Sequence, residues 1–306
     1  MALARRRPET PDRRAAAAPV PRLRGRLSPC AAKLERLPWP AGLSFRAYGA
    51  RIGVRVSDPA ALAEVEKRLP TGAVRTRDAI VDHLVSYVVG DGEPAGRVRR
   101  FHLLYAAAHR FSRTLYAREA LNALEHHLEL AVAEMASGRL FVHAGVVGWK
   151  GRAILIPGQS HSGKTSLVAA LLAQGADYLS DEFALVDRHG RVHPYPRPLV
   201  LRASHPAGVP TSARRLGART GEAPLPVALV AVTRYESGRR WRPRPLTPAR
   251  AVLELLAHSV TVRKRPEQAM AALERVALRA RTLKSARGEA SETAARLIEC
   301  LEGGGA

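Results

Sequence analysis

Gly158, Gly163, Lys164 and Thr165 stand at the spacing G-x-x-x-x-G-K-[ST], inside the run Gly158-Gln159-Ser160-His161-Ser162-Gly163-Lys164-Thr165. Each residue type answers a demand of polyphosphate binding. Glycines let backbone N–H groups turn inward around the phosphates, the ammonium of Lys164 can reach the terminal ones, and the hydroxyl of Thr165 can ligate Mg2+. The pattern names a ligand class, a nucleoside triphosphate with magnesium, and residues 158–165 as the segment that holds it. Further on, Asp181 and Glu182 follow the strand-like Tyr178-Leu179-Ser180. Phosphoryl transfer needs a phosphate cradle, a metal, and a carboxylate that holds the metal or takes the acceptor's proton. Two adjacent acids could divide that work, one as base and one, with Thr165, toward magnesium; the plainer reading is a polar turn between strands. Asp187, before Arg188-His189-Gly190, reads as a turn residue.

The flanking pattern supplies the context such a loop needs. An apolar strand, Ala153 to Ile156, leads in, and an amphipathic helix from Lys164 to Gln174 leads out, with Gly175 as terminator. Leu140 to Val147 and Arg152 to Ile156 are joined by Gly148-Trp149-Lys150-Gly151, which predicts an antiparallel hairpin and hence a mixed sheet, unlike the parallel surroundings of such a strand in doubly wound folds. Further strands are expected at Asp177–Ser180, Phe183–Asp187, Val192–Tyr195, Leu199–Leu201 and Val227–Tyr235. Helices are expected from Pro248, from Pro266 and over Ser291–Leu301. The Gly-, Pro- and Arg-rich stretch Ala203–Pro224 reads as a mobile loop over the active face.

Upstream, residues 1–40 are Arg-, Ala- and Pro-rich without periodicity and read as a disordered tail. Residues 41–115 form a small α/β domain: strand alternation from Leu43 to Val56, a helix capped by Asp58 with Pro59 at its first turn and running to Leu69, then strands around Ala79–Val89 and Phe101–Leu104. Residues 116–138, with Leu121, Leu124, Leu128, Val132 and Met135 on one face, form a linking helix. Residues 139–303 carry the phosphate-binding domain.

Composition removes several function classes. The longest near-continuous apolar stretch, Leu225 to Val232, is too short to span a bilayer, and the first thirty residues lack a secretory h-region, so a cytoplasmic protein is expected. Cys30 and Cys300 give neither metal-ligand spacing nor a disulfide framework. The formal charge of +22 would suit a polyanion, yet only six of the basic residues are lysines and the arginines are spread along the whole chain. Clusters such as Arg239–Arg244 lack interleaved aromatics apart from Trp241, so a nucleic-acid partner is not the expectation.

The run His143-Ala144-Gly145-Val146-Val147, the loop 158–165 and the pair Asp181-Glu182 resemble the C-terminal kinase domain of HPr kinase/phosphorylase, which shares its fold with ATP-dependent phosphoenolpyruvate carboxykinases. The resemblance covers roughly Leu140 to Arg202, including Tyr195-Pro196-Arg197-Pro198-Leu199. It implies an α/β P-loop kinase domain with a mixed sheet, Lys164 and Thr165 binding ATP and Mg2+, Asp181 as general base toward a serine hydroxyl, and His143 near the transferred phosphate. Gln159 and His161 stand where the family usually has Asp and a further Gly. The family's second signature, R-G-L-G-[IL], has no counterpart. The resemblance is thus to a divergent relative, of the kind that phosphorylates serine in peptide precursors or as the free amino acid.

Together these features predict an ATP- and Mg2+-dependent kinase acting on a hydroxyl of a peptide, protein or small molecule, in a chain able to form a homo-oligomer. The competing readings are a nucleotide-binding regulatory or scaffolding module without phosphotransfer, and a nucleic-acid-associated ATPase using the arginine-rich tail.

Overall fold

The structure is a computed structural model that describes residues 19–25, 29–90, 94–95, 98–159, 162–201, 209–260, 262 and 264–303. It divides into two units, one of Met1–Arg46, Arg51–Arg68 and Val74–Leu124, the other of Ala47–Ala50, Leu69–Ala73 and Glu125–Ala306. The helix expected as a linker runs from Ala117 to Met135 and is shared between the units at Leu124 and Glu125.

The first unit is built on a six-stranded sheet of β1 (Ala41–Ala47), β2 (Ala50–Val56), β3 (Val74–Thr76), β4 (His83–Val88), β5 (His102–Ala106) and β6 (His109–Thr114), in the order β6-β5-β4-β2-β1-β3. The alternating run at Leu43–Val56 is two strands rather than one. Tyr48 and Gly49, at φ 49° and 86°, make the tight turn between them, a geometry in which both turn residues are left-handed. Asp58 caps as expected, accepting from Ala60 N at 2.9 Å, but the helical segment stops at Glu66 rather than Leu69. Order also begins before residue 41: Arg22–Leu23 pair in parallel with Ile80–Val81, and Pro29–Glu35 is helical. Arg55 holds the end of that helix and the segment after it. Its buried guanidinium reaches Glu35 at 2.7 Å and lies 4.4 Å from the ring centre of Trp39. The remainder of the tail, residues 1–18, lies outside the described residues.

The second unit holds β7 (Leu140–Trp149), β8 (Arg152–Pro157), β9 (Asp177–Ser180), β10 (Phe183–Val186), β11 (Arg191–His193), β12 (Leu199–Leu201), β13 (Val209–Thr211), β14 (Leu225–Tyr235), β15 (Arg244–Pro245) and β16 (Arg281–Arg287). The sheet is mixed, as the hairpin argument requires: β7 pairs antiparallel with β8, β9 and β10, whereas β8–β14 and β14–β16 are parallel. Lys150 and Gly151 turn the β7–β8 hairpin at φ 46° and 77°. The long β14 meets β11 at Leu225 and Pro226 and β8 from Val227 onward, so the sheet curls back on itself. One face carries a core of Val142, Val146, Leu155, Val230, Leu255 and Leu273, the other a core of Ile154, Ile156, Leu167, Leu171, Leu229 and Leu297.

Three expectations need correction here. The C-terminal region is not wholly helical, since β16 lies between the helices Pro266–Arg279 and Ala290–Glu302 and pairs along seven residues of β14. Its Arg281, Lys284, Ser285 and Arg287 concealed it, because a strand held between β14 and β15 was expected to be apolar. The stretch 203–224 is partly ordered: residues 202–208 are not described, but β13 pairs with β12 and Ser212 caps a 3-10 turn at Ala213–Leu216. The helix after the loop, Lys164–Ala173, buries Leu167, Val168, Leu171 and Leu172 and is apolar on most sides rather than amphipathic, because it shares its core with Ala294, Leu297 and Leu301 of the C-terminal helix.

Ile154 lies fully buried in β8, directly behind the loop. Ile154→Ala is expected to cost about 2–5 kcal/mol, read as a lower urea midpoint with an unchanged slope in equilibrium unfolding.

Candidate phosphate and acceptor site

The hairpin sets the loop in place. Strand β8 ends at Pro157, and Gly158 N donates to His143 O at 3.1 Å, tying the first loop residue to the neighbouring strand. Gly163 closes the loop at φ 86°, where a Cβ would lie 2.5 Å from Arg287 Nη2, so only glycine fits both the backbone and the space. The helix that begins at Lys164 points its N-terminal N–H groups, the positive end of its dipole, at the loop. Gly145 lets that helix approach β7, since a Cβ there would stand 2.6 Å from Val168 Cγ2. Ser160 and His161 lie outside the described residues.

The lysine and the two acids meet this loop. Lys164 Nζ donates to Gly158 O at 2.9 Å and Gln159 O at 2.8 Å. Thr165 Oγ1 donates to Asp181 Oδ2 at 2.9 Å, bridging helix and strand. Asp181 Oδ1 is buried without a hydrogen-bond partner among the described residues, as is Ser162 Oγ. Burial pushes the Asp181 carboxyl up to about 6; the bond from Thr165 and the charge of Lys164 pull it down, and Glu182 pushes it further up. Burial likewise lowers Lys164, against the pull of Asp181 and Glu182. Asp181 and Glu182 fall between the register pairs Val146↔Ser180 and His143↔Phe183, where the line of β9 and β10 along β7 is interrupted. They are thus a break between strands, as the plainer reading held, and Asp181 also faces the loop helix through Thr165.

His143 sits at the same junction. Its N–H donates to His258 O at 2.7 Å, its carbonyl receives Gly158, and its ring packs against Phe183 with centroids 4.5 Å apart. Burial, joined by Lys164, His258 and His126, holds its pKa below the ordinary 6.5, so the ring is mostly neutral at pH 7. His143, Gln159 and His258 line a cleft of about 430 Å³ beside the loop. Asp187 is far from this chemistry; it accepts from His189 N, Arg191 N and His193 Nε2 and closes a turn.

Two arginines belong to this region that the motif spacing did not single out as site residues. Arg287, almost wholly buried at the end of β16, donates through Nη2 to Gly163 O at 2.7 Å and braces the loop from behind. Arg197, within Tyr195-Pro196-Arg197-Pro198-Leu199, donates to Glu129 Oε2 at 2.6 Å and lies 3.3 Å from Glu125 and 3.9 Å from Glu182. Burial outweighs that guanidinium and raises Glu129 to about 7, with Glu182 and Glu125 adding to the rise. The i,i+4 pair Glu125–Glu129 beside the leucine stripe was the available signal for this network. Trp241 is partly buried against the core, with its indole N–H buried.

The described residues contain no cluster of three or more His, Cys, Asp or Glu side chains that could cage a metal. Thr165 Oγ1 and the unpartnered Asp181 Oδ1 are hard oxygen donors beside the loop. That donor set fits Mg2+, which typically takes one or two carboxylates and completes its shell with phosphate and water.

No protein-family model matches the chain, and no curated protein does. Among solved structures it is similar to an HPr(Ser) kinase/phosphatase from Coxiella burnetii, over 54% of this chain and 94% of that one, at 14% sequence identity and a TM-score of 0.32. No helix among the described residues is long and apolar enough to cross a membrane.

The raised Glu129 has a definite sign. Its folded pKa of about 7 lies above the ordinary 4.5, so the folded chain binds the extra proton, and the stability this gives is complete below about 4.5 and lost as pH rises through 7. The difference in melting temperature between wild type and Glu129→Gln should therefore change across that window and stay flat on either side. Replacing the brace, Arg287→Met, should weaken ADP binding about ten-fold by loosening the loop, measured by isothermal titration, while circular dichroism remains native.

Proposed function

We propose that this chain is an ATP- and Mg2+-dependent kinase that phosphorylates a hydroxyl, that of serine in a peptide or protein. The observation that carries this reading is the Thr165–Asp181 contact of 2.9 Å, which sets a buried carboxylate with one unused oxygen against the first turn of the loop helix and near Lys164.

In this reading Lys164 and the N–H groups of residues 158–165 hold the β- and γ-phosphates, and Thr165 with Glu182 or Asp181 holds magnesium, which supplies charge compensation on the phosphates. Asp181 is the general base. It receives the proton of the acceptor hydroxyl as that oxygen bonds to the γ-phosphorus and the bond to the bridging oxygen breaks, leaving ADP. Burial suits it to the task, since a carboxyl raised to about 6 is a stronger base than an exposed one yet is still mostly ionised at pH 7. The mostly neutral His143 lines the acceptor cleft and orients the hydroxyl without adding a second positive charge next to Lys164.

The decisive experiment follows label from γ-labelled ATP into an extract of the native host separated into peptide, protein and small-molecule fractions. Wild type should label one fraction, and Asp181→Asn should reduce that label by a factor of about 10² or more while keeping ATP affinity within a few-fold. Lys164→Ala should instead weaken ATP binding. Equal loss of binding in both variants contradicts the division of roles, and ATP binding with no Asp181-dependent label favours the regulatory module.

A further inference from the structure

Some distance along β7 from His143, the second unit has a larger cleft of about 740 Å³ that the kinase reading does not use. Its buried lining includes Leu140, Val186 and Ala272. Its charged lining is Arg139, Arg188, Arg265 and Arg275, of which Arg188 and Arg275 are exposed. Three of these guanidiniums bond to backbone or to a neighbouring imidazole rather than to carboxylates: Arg139 to Gly138 O, Arg275 to Arg188 O and Ala271 O, and Arg188 to His189. The one acid in the lining, Asp187, is committed to His193 and two backbone N–H groups. Four arginines converging on a concave, partly apolar surface without carboxylate partners among the described residues repel one another and attract an anion, and the guanidinium fork suits carboxylates.

Leu140 pairs with Val186 and His143 with Phe183 on the same two strands, about 10 Å apart along β7 at ~3.3 Å per residue, and the odd spacing turns the two side chains to opposite faces of the sheet. Segment 258–260 spans that interval along β7, with His143 N donating to His258 O and Val260 N to Phe141 O. We propose that the arginine cleft docks an acidic segment of the peptide or protein acceptor, with carboxylates on the arginines and an apolar side chain on Leu140 and Val186. The identity of the docked chain rests on the kinase reading, but docking itself needs no nucleotide and no transfer.

The test is fluorescence anisotropy of the full chain, without nucleotide and at roughly 0.15 M salt to screen diffuse attraction, using labelled Gly-Ser-Gly-Gly-Gly-Glu-Leu-Glu-Glu and its Gln-for-Glu counterpart. The acidic peptide should bind about ten-fold tighter than the neutral one. Arg265→Gln/Arg275→Gln, and separately Arg188→Glu, should remove that preference. Arg214→Gln/Arg240→Gln takes the same charge from exposed sites outside the cleft and should retain it. Equal loss in the cleft and control variants, or no preference in the wild type, overturns the proposal. Full displacement of the peptide by an equal concentration of glycerol 3-phosphate also overturns it and assigns the cleft to a small phosphorylated ligand. If Asp181-dependent transfer proves absent while cleft-dependent binding persists, the kinase reading fails and the docking surface stands.

Discussion

The pairing of β7 on both edges governs the geometry of the second unit. On one edge β8 brings Gly158 to the carbonyl of His143; on the other, β9 and β10 run along the same strand and break at Asp181 and Glu182. Because the register along both edges is fixed by hydrogen bonds, the distance between loop and acids does not depend on any one flexible side chain. Gly145 completes the constraint by letting the loop helix come near enough for Thr165 to reach Asp181. A slip of one residue in either pairing would turn the site residues to the opposite face.

Against this rigid frame stands an unusual distribution of charge. A chain of net charge +22 places Glu125, Glu129, Asp181 and Glu182 together around Arg197 and Lys164, and buries two of those acids far enough to raise them to about 7 and about 6. Desolvating carboxylates costs stability, and the neighbouring cations offset only part of it. Elsewhere half-buried acids such as Asp78 and Asp82 pair with Arg46 and Arg51, where the same charges are cheap to keep.

Much of the second unit was legible in the residues. The loop spacing, the β7–β8 hairpin, the helix that follows and the strand before Asp181 are local features, each set by glycine, turn chemistry or a short apolar run. Less visible were β16 and the role of Arg287. A strand reading Arg-Thr-Leu-Lys-Ser-Ala-Arg gains its place from β14 beside it, and a buried arginine is intelligible only once the carbonyl of Gly163 is found across from it. Arg197 was noted within its segment, yet its partners Glu125 and Glu129 come from a helix about seventy residues earlier.

The sequence by itself determined where a phosphate-binding loop is to be expected, since the backbone freedom of glycine and the reach of lysine and threonine are properties of a continuous eight-residue segment, and it determined that the sheet carrying that segment is mixed. Only the tertiary structure decided which atoms of Asp181 and Thr165 meet, that burial raises that carboxylate, and that Arg139 just before β7, Arg188 in the turn after β10, and Arg265 and Arg275 at the start of and within the helix Pro266–Arg279 gather in one cleft. The physical reason is range. Turn and loop geometry is fixed by torsions and bonds among near neighbours, whereas desolvation and charge convergence depend on segments that folding alone brings together.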